Sequence, residues 1–465
     1  MLFSSPTFFV FFAIYFCIHL LVAPRHRVFL IICGSTIFYA WWRLAYVWLP
    51  YLLMAIAYGG VQLMGCAPGP RLRKALAVAT IVALFVPLAV FKYADFLYGQ
   101  VLGPAFDWHG VLLGVPLPLG VSFVTFTLTA YVVDIYRGRF PAGARPATVL
   151  AYVLFFPHLI AGPILRPHEL IPQLERPRPA RLRRLAVPLA IFTLGLVKKL
   201  VFADQIAAAV DAAYGASGPL SAPSALLAIY GFAAQIYCDF SGYTDMAIAL
   251  ALALGVRLPI NFRRPYAARG LVEFWRCWHI TLSFWLRDYL YIPLGGNRHG
   301  RLQEMRNIFL TMVLGGLWHG ANWTFVAWGA MHGAGVALSH AVKRLVRPGW
   351  LDAVPLWVGV ALTFHFVTLG WVLFRAPSFA AAGRMLAAAC VGSWGDLATF
   401  ATANGFVLLL LAVFAATHRF DDHRRVKLAA RRLRPAIFWP LIAVLWLLTI
   451  AVSQGSSATF IYFEF

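Results

Sequence analysis

Apolar runs long enough to cross a bilayer recur from one end of the chain to the other, and no other feature restricts its fold so strongly. A hydrocarbon layer of about 30 Å needs about 20 apolar residues wound as a helix. Runs of roughly that length extend from Pro6 to Val22, Ala75 to Phe91, Pro355 to Phe374, Phe406 to Ala416 with its flanks, and Ile437 to Val452. With 61% hydrophobic and 12% charged residues, the balance is wrong for a water-facing surface. The sequence therefore predicts an all-α polytopic membrane protein with about 11 to 13 embedded helices. The first run has neither a basic start nor a small-residue cleavage site, so it reads as a retained helix.

A net charge of +22 would point to nucleic acid in a soluble protein, but here the basic residues fall in short segments between apolar runs. That pattern orients helices and excludes a nucleic-acid partner as the explanation. The positive-inside rule puts Arg25 to Arg27, Arg71 to Lys74, Arg137 to Arg145, Arg176 to Arg184, Arg257 to Arg306, Lys343 to Arg347 and Arg419 to Arg434 on the cytoplasmic side. Both termini, including the tail 454–465, then lie on the far side. The six cysteines form no C-x-x-C pair and sit mostly in apolar runs, which argues against a zinc site or a disulfide framework.

No stretch is long and polar enough for a soluble domain, so residues 1–465 read as one membrane domain with a motif-rich core over 117–340. The in-and-out alternation breaks at Ala147 to Ile164, where one apolar segment separates two segments both assigned to the cytoplasm. A re-entrant segment resolves the conflict. Its sequence FFPHLIAGPILRP carries Pro157, Gly162, Pro163 and Pro167, which interrupt helical hydrogen bonding and are tolerable only inside protein or beside a wet cavity. Leu258 to Gly296 reads as a second excursion, too polar to span and too aromatic to be a solvated loop. No internal repeat is apparent, unlike transporters built from inverted halves.

Ionisable groups inside a membrane are costly, and each is a functional candidate. His319 stands in GGLWHGANWTFVAWGAMHG, where glycines permit close backbone approach and Trp318, Asn322 and Trp323 offer hydrogen-bond donors. On one unbroken helix His332, thirteen residues on, would point away from His319, and a structural role is expected for it. His279 lies in EFWRCWHITLSFWLRDYLYIPLGG, with Glu273, Arg276, Arg287 and Asp288 as potential charge partners and Trp275, Trp278 and Trp285 as a shared wall. Asp239 and Asp245, in YCDFSGYTDMAI, read first as helix caps, with pathway residues or ion-pair partners as alternatives.

Taken together these segments resemble the membrane-bound O-acyltransferases, specifically the bacterial branch of alginate O-acetyltransferases and teichoic-acid D-alanyl transferases. The resemblance runs nearly end to end: MLFSSPTFFVFF, PLGVSFVTFTLTAYVVDIYRG, FFPHLIAGPILRPHELIPQL, the span from DFSGYTDMAI to YIPLGGNRHG, the Trp-His-Gly segment and the closing FIYFEF. It implies helices around a central funnel, with His319 catalytic between a cytoplasmic donor and an extracytoplasmic acceptor, and His279 as a second site histidine. The chain departs from the pattern at Cys277, where an arginine is usual, and at His158, where glutamine is common.

Acyl transfer needs a base for the hydroxyl proton and donors for the developing oxyanion. His319 suits the first role, and Trp318 or Asn322 the second, with no acyl-enzyme on Ser or Cys required and no metal. The expected donor is an acyl thioester, acetyl-CoA, or its carrier, landing on the basic stretch through Arg287 and Arg298. The expected partners are a periplasmic acetyltransferase and the exopolysaccharide machinery at a bacterial inner membrane. The tail hexapeptide Phe460 to Phe465 is expected to fold back into the extracytoplasmic mouth of the funnel, and its resemblance to the terminal motif of a small teichoic-acid D-alanylation partner implies that Tyr462 relays the acyl group, the alternative being a plug or docking peptide only. Competing functions are D-alanyl or peptidoglycan O-acyl transfer and, outside this class, a proton-coupled transporter or an export scaffold.

Overall fold

The computed structural model describes residues 1–106, 114–178, 180, 185–346, 354–453 and 460–461. Every regular element among them is helical. Among the described residues six helices are long and apolar enough to cross a membrane: Leu44–Gly65, Pro70–Leu102, Ala186–Gly215, Leu356–Arg375, Leu397–Phe420 and Pro435–Ser453, with Pro6–Leu21, Val121–Tyr136 and Phe379–Val391 shorter but apolar. Leu397–Phe420 and Pro435–Ser453 bury only 6% and 11% of their most apolar windows, so nearly all their side chains are left for lipid. Ser5 starts the first helix by accepting the Phe8 amide proton, with Pro6 at the first helical position where its missing N–H costs nothing.

The chain groups into two compact units, residues 1–192 with 246–259 and residues 193–245 with 260–465. In the first unit the expected interruption is real. Helix Pro146–Leu154 is nine residues, about 14 Å, which is too short to span. It breaks at Phe155, gives way to the single turn Phe156–Leu159 and resumes only at Pro167–Glu175. Residues 151–165 are buried throughout, so the freed backbone groups need partners inside the protein. Side chains supply them: Ser35 Oγ accepts the Phe156 amide, His158 Nε2 donates to the Tyr152 carbonyl at 2.7 Å, and the Tyr152 hydroxyl donates to the Leu165 carbonyl at 2.8 Å. The unusual His158 is thus a structural donor at the break.

In the second unit, helices Arg301–His319 and Trp323–Leu345 form a close antiparallel hairpin. Its base is tied by Arg344 to Glu304 at 2.7 Å, so the two basic ends lie together, as their assignment to one membrane side requires. Glycines set the closeness, as between membrane helices generally. A Cβ on Gly316 would collide with the Phe325 carbonyl, one on Gly329 with the Met312 carbonyl, and one on Gly333 would stand 3.0 Å from Phe309 Cα. Gly329→Ala is therefore expected to destabilise by about 1–3 kcal/mol, the usual cost of overpacking. Gly383→Ala, where nothing lies within 4 Å, should not. Comparing the temperatures at which the two purified variants lose their monodisperse state in detergent checks this.

Candidate active site

The hairpin turns over at Gly320 to Asn322, placing His319 as the last residue of one helix and Trp323 as the first of the next. Asn322 caps the second helix, its Oδ1 accepting the Thr324 amide at 3.0 Å while its Nδ2 donates to the Pro377 carbonyl at 3.0 Å. The imidazole of His319 is 3% exposed and meets three rings nearly edge to face: Trp318 at 5.0 Å, Trp328 at 5.2 Å and Phe374 at 5.3 Å between centroids. His332 packs on the same Trp328 at 4.8 Å and on Trp275 at 5.2 Å. Three residues separate the two helices, so the two imidazoles belong to different helices with Trp328 touching both. His332 itself, fully buried among Trp275, Trp328 and Phe366, has the structural setting expected of it.

His279 joins this wall from the second aromatic excursion, its ring 6.3 Å from that of Trp318 and 4.7 Å from that of Phe240. It sits between the short helices Leu271–Cys277 and Ile280–Leu286 with φ +42°, a left-handed conformation that is strained for a residue with a Cβ. Such strain persists only where surroundings enforce it, and it clusters at functional sites. The enforcer is Asn261, whose carbonyl accepts the Ile280 amide at 2.9 Å and whose Oδ1 accepts the Thr281 amide at 3.1 Å. Because that backbone N–H can only donate, the atom facing it is the oxygen. The same Oδ1 lies 3.2 Å from His279 Nδ1, so Nδ1 carries the proton and Nε2 is the basic nitrogen of the neutral ring.

Of the charge partners expected for His279, Glu273, Arg287 and Asp288 are engaged elsewhere, which corrects that expectation for them. Glu273 accepts the Arg269 amide at 2.9 Å, and Asp288 binds the exposed Arg287 at 2.6 Å. Arg298 is likewise exposed, on the glycine-rich turn that Asn307 fastens through the Gly296 carbonyl at 3.0 Å. Of the expected site residues, His319, Trp318 and His279 are thus brought into one wall, Asn322 is adjacent in chain, and the two arginines are exposed, Arg287 on the π-helical stretch Arg287–Tyr291 and Arg298 on a turn. Trp275 and Trp278 belong to the same aromatic core, whereas Trp285 packs on Tyr289 at a tilt. Tyr462 lies outside the described residues.

Asp239 and Asp245 are not caps. They lie deep in the 32-residue helix Ala222–Ala253 and pair with lysines that the sequence reading passed over. Lys198 and Lys199 are adjacent on the π-helical stretch Lys198–Ala203. Lys198 bridges Asp245 at 2.7 Å and Asp421 at 2.5 Å, while Lys199 bridges Asp204 at 2.8 Å and Asp239 at 2.7 Å. Asp239 also accepts the backbone N–H of Ile461 at 2.7 Å. The neighbouring Phe460 is fully buried against Tyr243 at 4.6 Å and Phe240 at 6.1 Å, so these two tail residues do fold back into the protein.

An all-helical, multi-pass membrane protein with histidines buried together in an aromatic wall is the class that fold and site define. The model of the MBOAT, membrane-bound O-acyltransferase, family matches residues 143–376. A probable alginate O-acetylase of Pseudomonas syringae pv. tomato is 41% identical over 404 residues, covering 85% of this chain and 76% of that protein. A peptidoglycan O-acetyltransferase of Helicobacter pylori is 36% identical over 385 residues, covering 77% of this chain and 72% of that protein. A teichoic acid D-alanyltransferase of Bacillus subtilis is 25% identical over 278 residues, covering 56% and 69%. This chain belongs to the membrane-bound O-acyltransferase family. It is an O-acyltransferase and uses an acyl donor.

Proposed function

We propose that this enzyme, as one membrane domain of the bacterial inner membrane, passes an acetyl group from a cytoplasmic thioester, acetyl-CoA, towards O-acetylation of an exported polysaccharide. The observation that carries the reading is the burial of the His319 imidazole against Trp318 at the tip of a glycine-packed hairpin. His319 takes the proton of the attacking hydroxyl as its oxygen bonds to the thioester carbonyl carbon. The indole N–H of Trp318, or the amide of Asn322, steadies the oxyanion until the carbon–sulfur bond breaks and the thiolate leaves with the proton from His319. His279 supports the site, its tautomer set by Asn261.

The relatives named for alginate O-acetylation direct the choice of acceptor to a polysaccharide, and a periplasmic acetyltransferase with the exopolysaccharide machinery completes the route. Tyr462 is the hydroxyl proposed to carry the acyl group between them. Purified protein in vesicles, given labelled acetyl-CoA, should turn over acetyl groups, and D-alanyl thioester should not replace it. Turnover of D-alanyl groups alone would support the alternative D-alanyl transfer instead.

Donor landing is assigned to the exposed Arg287 and Arg298. Loss of one solvent-exposed charge contact is worth about 0.2–1 kcal/mol, so Arg298→Ala should weaken apparent donor affinity by roughly 1.5- to 5-fold at low salt and flatten its salt dependence. Unchanged affinity at both salt concentrations would return these arginines to a purely topogenic role with lipid headgroups.

A further inference from the structure

Lys199, Asp204 and Asp239 form a buried group with one positive charge and two negative ones. Surplus charge in a protein interior is costly unless hydrogen bonds satisfy it. The ammonium lies within 2.8 Å of a carboxylate oxygen on each aspartate, and the other oxygen of Asp239 takes the N–H of Ile461. That bond joins positions 222 residues apart. Charge-assisted hydrogen bonds are roughly twice as strong as neutral ones, and this one is dry, with Asp239 2% and Ile461 5% exposed.

The face that receives the tail is built for it. Asp239 and Tyr243 are four residues apart on helix Ala222–Ala253 and so share one side of it, Asp239 meeting the Ile461 amide and Tyr243 the Phe460 ring. Phe240, beside them, touches Phe460 on one side and His279 on the other. From Phe460 an unbroken series of ring contacts thus runs through Phe240, His279 and Trp318 to His319.

We infer that Lys199, Asp204 and Asp239 are a latch that binds the backbone of Ile461 and seats Phe460 and Ile461 on the wall carrying His279 and His319. The ligand is a peptide N–H, the receptor is the carboxylate of Asp239, and Lys199 holds that carboxylate in place. These are positioning residues, acting on turnover through the tail. That consequence rests on the tail's proposed part in acyl relay, whereas the seating itself does not.

Seating is read directly by thiol labelling in the full-length chain. In a background with the exposed Cys17, Cys33, Cys66 and Cys390 replaced, an Ile461→Cys reporter should react slowly with a maleimide. Asp239→Ala should raise the labelling rate about 10- to 100-fold, as loss of a hydrogen bond to a charged group implies. If Asp239→Ala is not recovered folded, Asp239→Asn, which keeps the shape and removes the charge, should raise it several-fold. In the otherwise native chain Ile461→Pro removes the N–H, along with the Ile side chain and the freedom of φ, and should lower kcat with the KM for donor unchanged, while Ile461→Val, which keeps the N–H, should retain turnover. A reporter equally protected in folded protein with and without the Asp239 carboxylate overturns the latch. Faster labelling with undiminished turnover keeps the latch and removes the tail from the reaction.

Discussion

His319→Ala is expected to lower acyl transfer by about 10²- to 10⁴-fold or more, the range that a positioned base supplies, which corresponds to about 2.7–5.4 kcal/mol of barrier. The ring it removes is 3% exposed and touches Trp318, Trp328 and Phe374, so alanine also leaves a cavity. Lost packing must therefore be separated from lost chemistry. His319→Gln does so, since an amide refills much of the space and keeps hydrogen bonding but cannot take a proton at neutral pH. Both variants should insert, purify and bind donor as the parent does, and both should be inactive. Near-normal acetylation by a stably expressed variant of either kind would remove His319 from catalysis.

The second large effect is expected from Tyr462→Phe. Phenylalanine retains the ring and nearly all of its apolar contact, so a tail that only plugs the protein would be indifferent to the change. A tail that carries the acyl group would not, because tyrosine has the one hydroxyl in the hexapeptide Phe460 to Phe465. Acetylation of polymer is expected to stop while insertion and the seating of Ile461 stay as they were. A Tyr462→Phe enzyme as active as the parent would sink the relay.

The apolar runs were legible because lipid demands length and composition, and helices at Pro6–Leu21, Leu356–Arg375 and Pro435–Ser453 appear where those runs lie. The broken segment after Leu154 was legible for the same kind of reason, since Pro157, Gly162, Pro163 and Pro167 disable backbone bonding locally. What stayed hidden depended on partners distant in sequence. Asp239 and Asp245 resembled caps because their lysines lie 40 and 47 residues away, and two adjacent lysines inside the apolar run Ala186–Gly215 were the signal that could have found them. Asn261 gave no signal of its own; only the turn at His279 shows what it holds. The separation of His319 and His332 onto two helices was hidden as well, because Gly320 to Asn322 ends one helix and caps the next without any proline to announce it.

The π-helical stretch Lys198–Ala203 also sets how this chain can vary in length. Such a stretch holds one residue more than the α-helix around it would, and its wider turn sends two consecutive ammonium groups to two different carboxylate pairs. Deleting any one residue there would restore ordinary winding and remove the wider turn from which both lysines project. Both lysines would then lose register together. A substitution can spoil one pair and spare the other, but a single-codon deletion in this stretch acts on both at once, so this part of the gene should tolerate changes of letter far better than changes of count.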